Sequence, residues 1–149
     1  MDDIARIVFA IAVLGHGVAH LAATFNLGRQ AAGAPKPDVP EVRIVALDDR
    51  PAALSALVAL VLWVPATIGF IVAVPAMMDL LLGDLPWSTM LIVAAVVSTV
   101  GVALAGFRWP GGEQRLRPLH VFLALGMNVI VRGSQLLLSW PAGSRGAGR

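Results

Sequence analysis

Residues 52–82 read AALSALVALVLWVPATIGFIVAVPAMMDLLL, with Asp79 the only charged side chain. A helix of about 20 apolar residues crosses a bilayer, so this run exceeds a straight crossing. Pro65 and Pro75 lie inside it. We expect a second span over about 52–75, kinked at Pro65, where neighbouring helices and hydroxyl groups accommodate the freed carbonyl. Pro75 is expected near the end of the span, followed by an interfacial stretch from Met77 to Leu82. Pro51 suits the first turn, where its missing N–H costs little.

Working outward, the polar segment 27–51 precedes this span. Pro35, Pro37 and Pro40 break helix there, Gly28 and Gly33 loosen it, and acidic and basic residues alternate. A short surface strand or interfacial segment is expected around Val42–Leu47. Ahead of it, residues 4–26 are nearly all apolar, with His16, His20 and Thr24 inside the run and Arg6 and Asn26 toward its ends, which predicts the first span. A secretory signal peptide competes for this stretch. Asp2 and Asp3 outweigh Arg6, however, and no cleavage site follows, so a retained helix is expected. On the other side, Gly83-Asp84-Leu85-Pro86 signals a turn. A third span covers about 87–107, with Ser98, Gly101 and Ala105 spaced for close helix approach. Gly111-Gly112 makes the next turn, a fourth span covers about 118–140, and residues 141–149 form a flexible tail. The fold class expected is therefore all-α. It is an integral membrane four-helix bundle with a kinked second helix, in which residues 1–149 form a single transmembrane domain.

Composition supports this. Of 149 residues 58% are hydrophobic and 13% charged, with mean hydropathy +0.82; soluble domains carry about 25% charged residues. The isoelectric point near 10.4 does not imply nucleic acid, because the net charge is only +2 and the basic residues flank apolar spans. Arg29, Lys36, Arg43 and Arg50 lie in loop one, and Arg108, Arg115 and Arg117 in loop three. The positive-inside rule places these loops in the cytoplasm and both termini outside the cell membrane. Trp87, Trp109 and Trp140 fall where an interfacial aromatic belt would lie. The absence of cysteine excludes disulfides and thiolate metal sites.

The motif Gly15-His16-Gly17-Val18-Ala19-His20-Leu21, the Pro86-Trp87 pair opening the third span and the Trp109-Pro110 pair closing it resemble small four-span bacterial membrane proteins of uncharacterised function. More loosely, they resemble the DoxX-like group. The resemblance implies a four-helix architecture and no established reaction. The Pro-containing loop one and the double-Pro second span depart from that pattern.

Ionisable groups inside apolar spans are functional candidates by default. His16 and His20 stand four residues apart, on one helix face and about 6 Å apart along the axis. They suit helix packing through hydrogen bonds, an organic ligand or lipid headgroup, or a metal or haem. His120, Ala124, Asn128, Arg132, Gln135 and Ser139 advance by three or four and form one stripe on the fourth span. That stripe is expected to face the first span's histidines. Arg132 either finds a partner, with Asp79 or Asp84 nearest in depth, or snorkels outward to phosphate headgroups. Both aspartates also suit a solvated turn.

The leading functional expectation is a membrane protein that binds a lipid, a small hydrophobic ligand or a partner membrane protein. The site is a polar cleft between the first and fourth helices, formed by His16, His20, His120, Asn128, Arg132 and Gln135. A second copy of the chain is a further candidate partner. The alternatives are an enzyme acting on a lipid-soluble substrate with the three histidines as acid–base groups, and a haem or metal carrier. No cofactor follows from the motifs.

Overall fold

The computed structural model describes residues 2–37, Val39, and residues 41–80, 86–105 and 117–136; at Asp2, Val45, Arg117, Gln135 and Leu136 it describes the backbone alone. Among the described residues it is all-helical: α1 (Asp2–Ala31), α2 (Ala52–Met77), α3 (Trp87–Leu104) and α4 (Arg117–Leu136), with a 3-10 turn at Val45–Leu47. Among the described residues α1, α2 and α3 are long and apolar enough to cross a membrane, and α4 carries a shorter apolar stretch, Pro118–Ser134. The turns expected at Gly83-Asp84-Leu85 and Gly111-Gly112, residues Trp109 and Trp140, the ends of spans three and four, and the tail lie outside the described residues.

The helices pack in chain order, α1 on α2, α2 on α3 and α3 on α4, while α1 and α4 meet only narrowly. Two apolar clusters divide the core. Phe9, Val13, Phe70, Met77, Leu91 and Val131 belong to one; Ala23, Leu27, Trp63, Val102, Val121 and Ala124 belong to the other. The start of α1 thus shares a cluster with the end of α2, the start of α3 and the end of α4, as an up-down-up-down bundle requires. The outer surface is apolar as well, with Ile4, Ile11, Val18, Phe25, Val61 and Phe122 all more than half exposed.

Close approach depends on small residues. Gly101 is buried against the indole of Trp63, which has no exposed surface. A Cβ at Gly69 would lie 2.8 Å from Ala94 Cβ, so α2 and α3 meet there almost backbone to backbone. Gly17 faces Phe70 and Ile71 in the same way, whereas Gly15 has open space around it.

Both helix ends that enter described loops carry the same stop. After α1, Gly33 adopts φ +72°, Ala34 N–H donates to Arg29 O and Gly33 N–H to Gln30 O. After α2, Asp79 adopts φ 56°, Leu80 N–H donates to Pro75 O and Asp79 N–H to Ala76 O. These are Schellman closures with a left-handed residue just past the helix. Aspartate is the less comfortable occupant, and Arg6 holds it. Its guanidinium donates to Met77 O and pairs with the Asp79 carboxylate at 2.8 Å. A cation at a helix C-terminus also opposes the negative end of the dipole. Asp79 is largely exposed, so most of the benefit lies in the carbonyl bond. We expect Arg6→Ala to cost about 1 kcal/mol in detergent unfolding. An unchanged midpoint would show that the α1–α2 clasp is ornamental.

The structure departs from the sequence reading at three places. First, α1 runs on to Ala31 instead of stopping near residue 26, and Leu27 and Gln30 are buried. Second, the Val42–Leu47 segment is no surface strand: Val42 and Ile44 are 2% and 5% exposed and enter the core. Their backbone N–H groups are satisfied by side chains, Val42 N–H donating to Gln30 Oε1 at 2.9 Å and Ile44 N–H to Ser55 Oγ at 3.3 Å. Third, Asp79 is engaged by Arg6, not by Arg132. The second span stands as expected, one helix that includes Pro65 and ends at Met77, two residues after Pro75.

Candidate functional site

A polar layer lies between the two apolar clusters, and all four helices contribute to it. On α1, the four-residue spacing stacks His16 and His20 with ring centroids 4.8 Å apart, edge to face. On α2, Phe70 flanks both rings, at 4.6 Å from His16 and 5.3 Å from His20; Trp63 lies 5.9 Å from His20. On α3, Ser98 and Thr99 face inward. On α4, Asn128 is fully buried.

Asn128 is the hub. Its Oδ1 lies 3.2 Å from His16 Nε2, and its Nδ2 donates to Ser98 Oγ at 2.9 Å and to Thr99 Oγ1 at 3.2 Å. An amide oxygen only accepts, so His16 carries its proton on Nε2. Ser98 Oγ lies 2.9 Å from His20 Nε2. Because Ser98 already accepts from Asn128, the direction that uses each group once has its hydroxyl donating to a bare His20 Nε2. The result is a head-to-tail chain from His16 through Asn128 and Ser98 to His20, in which each bond polarises the next.

Hydroxyls extend the layer toward the loop-one end. Thr24 Oγ1 lies 2.9 Å from Thr67 Oγ1. Thr24 also reaches His20 O at 2.9 Å, and Thr67 reaches Trp63 O at 2.7 Å. Two hydroxyl protons therefore serve three contacts. Each back-bond is the usual refuge of a hydroxyl in an apolar helix.

Of the six residues singled out in the sequence, the structure brings His16, His20 and Asn128 together. Arg132 lies one turn beyond and donates from Nε to Asn128 O at 3.3 Å; it forms no ion pair among the described residues. His120 sits two turns before Asn128, partly buried, with an Nδ1 that has no hydrogen-bond partner among the described residues. Gln135 lies on α4, but its side chain is outside the description. Sequence reasoning took Ser98 for a packing residue and passed over Thr99 and Thr67. Isolated hydroxyls in apolar helices carry no pattern, so only the fold discloses them.

The chemistry open to this layer is narrow. A serine hydroxyl against a histidine nitrogen is half of an acyl-transfer site. Ser98, however, is 1% exposed, and its oxygen is taken by Asn128 and His20. Both histidine Nε2 atoms are likewise engaged. Among the described residues no three His, Asp or Glu side chains converge as a metal site.

A cavity among the described residues lies elsewhere. A groove of about 450 Å³ opens on the outer face of α1 and α2, lined by Leu21, Thr24, Phe25, Gly28, Arg29 and Leu60, among others. That volume is within the range of about 300–1,000 Å³ usual for small-ligand sites.

Comparison with protein-family models, with curated proteins and with solved structures gives no match.

Proposed function

We propose that the chain is an integral, multi-pass membrane protein of the small four-span kind its motifs resemble. Loop one lies in the cytoplasm, both termini lie outside, and a lipid or other lipid-soluble molecule binds on its surface. The observation that carries the ligand reading is the open groove on α1 and α2. It presents an almost wholly apolar lining to the bilayer, which is the face a lipid-soluble ligand reaches first. The seam between α1 and α4 is a poorer candidate, because Asn128 already bridges it to His16. The polar layer acts in this reading as an interhelical clamp.

Two experiments test the proposal. The protein should remain in the membrane pellet through alkaline carbonate extraction, and release into the supernatant would sink the membrane assignment. The sequence has no cysteine, so single cysteines report sidedness directly. A membrane-impermeant maleimide should label Asp3→Cys in intact cells and not Lys36→Cys; the reverse pattern would invert the orientation. For the ligand, mass spectrometry of the detergent-purified protein should find one lipid-soluble species near stoichiometry. That species should be lost in Gly28→Leu, a variant that fills the groove. Equal recovery from both proteins would remove the groove as the site.

A further inference from the structure

The groove has chemically different ends. Leu21, Phe25 and Gly28 follow one another along one face of α1, with Leu60 of α2 opposite them. This wall is apolar. Thr24 adds a hydroxyl that is already turned to His20 O and Thr67. At the loop-one end stands Arg29, exposed, at the last turn of α1.

Arg29 is held in a particular posture. Its Nε donates to Ala34 O at 3.2 Å, and Ala34 also lines the groove. The Schellman closure at Gly33 places that carbonyl, since Ala34 N–H returns to Arg29 O. With Nε anchored, the outer edge of the guanidinium, its two terminal nitrogens, faces away from the tether. That edge still presents two parallel N–H groups, which can grip a phosphate bidentately. Of the other loop-one cations, Arg43 pairs with Glu41 and Arg50 with Asp49, while Lys36 forms no ion pair among the described residues. Arg29 forms no ion pair among the described residues.

An apolar trench ending at an anchored guanidinium is complementary to one molecule of the bilayer. We propose that the groove holds a phospholipid of the leaflet beside loop one, with an acyl chain along α1 and its phosphate on Arg29. This rests on the reading of the groove as a ligand site and adds the class of ligand. The headgroup beyond the phosphate is not selected, because the contact is to the phosphate alone.

The test uses the full-length protein in detergent micelles and native mass spectrometry with three lipids of identical chains. These are dioleoyl phosphatidylglycerol, dioleoyl phosphatidylcholine and dioleoylglycerol, which lacks phosphate. Both phospholipids should bind about tenfold more tightly than dioleoylglycerol, the difference expected for one charge-assisted pair. Arg29→Gln should bring the phospholipids down to the dioleoylglycerol level. Gly28→Leu should weaken all three; a Cβ there meets open space, so the fold should survive, as circular dichroism would verify. An excess of inorganic phosphate should leave phosphatidylglycerol bound. If dioleoylglycerol binds as tightly as the phospholipids, if Arg29→Gln changes nothing, or if inorganic phosphate displaces the lipid, the phospholipid assignment is overturned. In those cases the groove still accepts a chain and the broader ligand reading stands. If Gly28→Leu leaves all three lipids bound as before, both fail.

Discussion

Asn128→Ala should lower the unfolding free energy by about 2–4 kcal/mol in mixed micelles. Single hydrogen bonds between helices in lipid contribute only about 0.6–2 kcal/mol, because the separated helices find other partners. Asn128 makes three such bonds, to His16, Ser98 and Thr99. Its loss strands the His16 N–H in a site that is 8% exposed and leaves a void. The two hydroxyls suffer less, since Thr99 keeps its bond to Ala95 O and Ser98 keeps His20. Ser98→Ala should therefore cost clearly less than Asn128→Ala. If the two variants are equally stable, or if Asn128→Ala loses under about 0.5 kcal/mol, the layer does not clamp the bundle.

Gly101→Ala is expected to cost about 1–3 kcal/mol through overpacking. Its new Cβ would fall 2.5 Å from one carbon of the Trp63 ring and 2.9 Å from another. The indole is fully buried and packs beside His20, so it cannot simply swing aside. Trp63→Leu should destabilise by itself, yet adding Gly101→Ala to it should bring no further loss. That non-additivity, read from a double-mutant cycle, is the signature of a direct clash. Gly126→Ala serves as the control: its Cβ meets open space, and it should be neutral or slightly stabilising. Equal losses at Gly101 and Gly126 would remove the close-approach account.

The helices were legible because apolar runs of spanning length leave few alternatives. The histidine pair and Asn128 were legible because helical periodicity alone puts each on one face. Three other features were hidden, each for its own reason. Val42 and Ile44 alternate with Glu41 and Arg43, a surface-strand pattern. Gln30 and Ser55 supply the backbone bonds a strand partner would have given, and nothing in the sequence joins those four residues. The end of α1 escapes the sequence because Arg29 and Gln30 look like loop residues, although Arg29 lies in the last turn of the helix and ties it to the Ala34 carbonyl, and Gln30 is buried. The polar layer was assigned to the first and fourth helices alone. Ser98 and Thr67 looked like minor residues among Ala and Val until the bundle set them against His20 and Thr24.

The placement of that layer bears on how the bundle finds its alignment. Along α2 and α3 many of the buried positions are small: Ala56, Ala59, Ala66 and Ala73 on one, Ala94, Ala95, Ser98 and Gly101 on the other. A slide of one helical turn, about 5.4 Å, would trade one small side chain for another at those positions, and the apolar contact that resists it most directly is the fit of Trp63 over Gly101. In the lipid proposed here, hydrophobicity offers no correction, since tails and side chains are equally apolar. Displacement by a turn would instead uncouple Asn128 from His16 and Ser98 from His20 at once, exposing four polar groups to hydrocarbon. The layer thus works as a vernier mark: it adds modest strength, but it is where one alignment of the four helices is told from its neighbours.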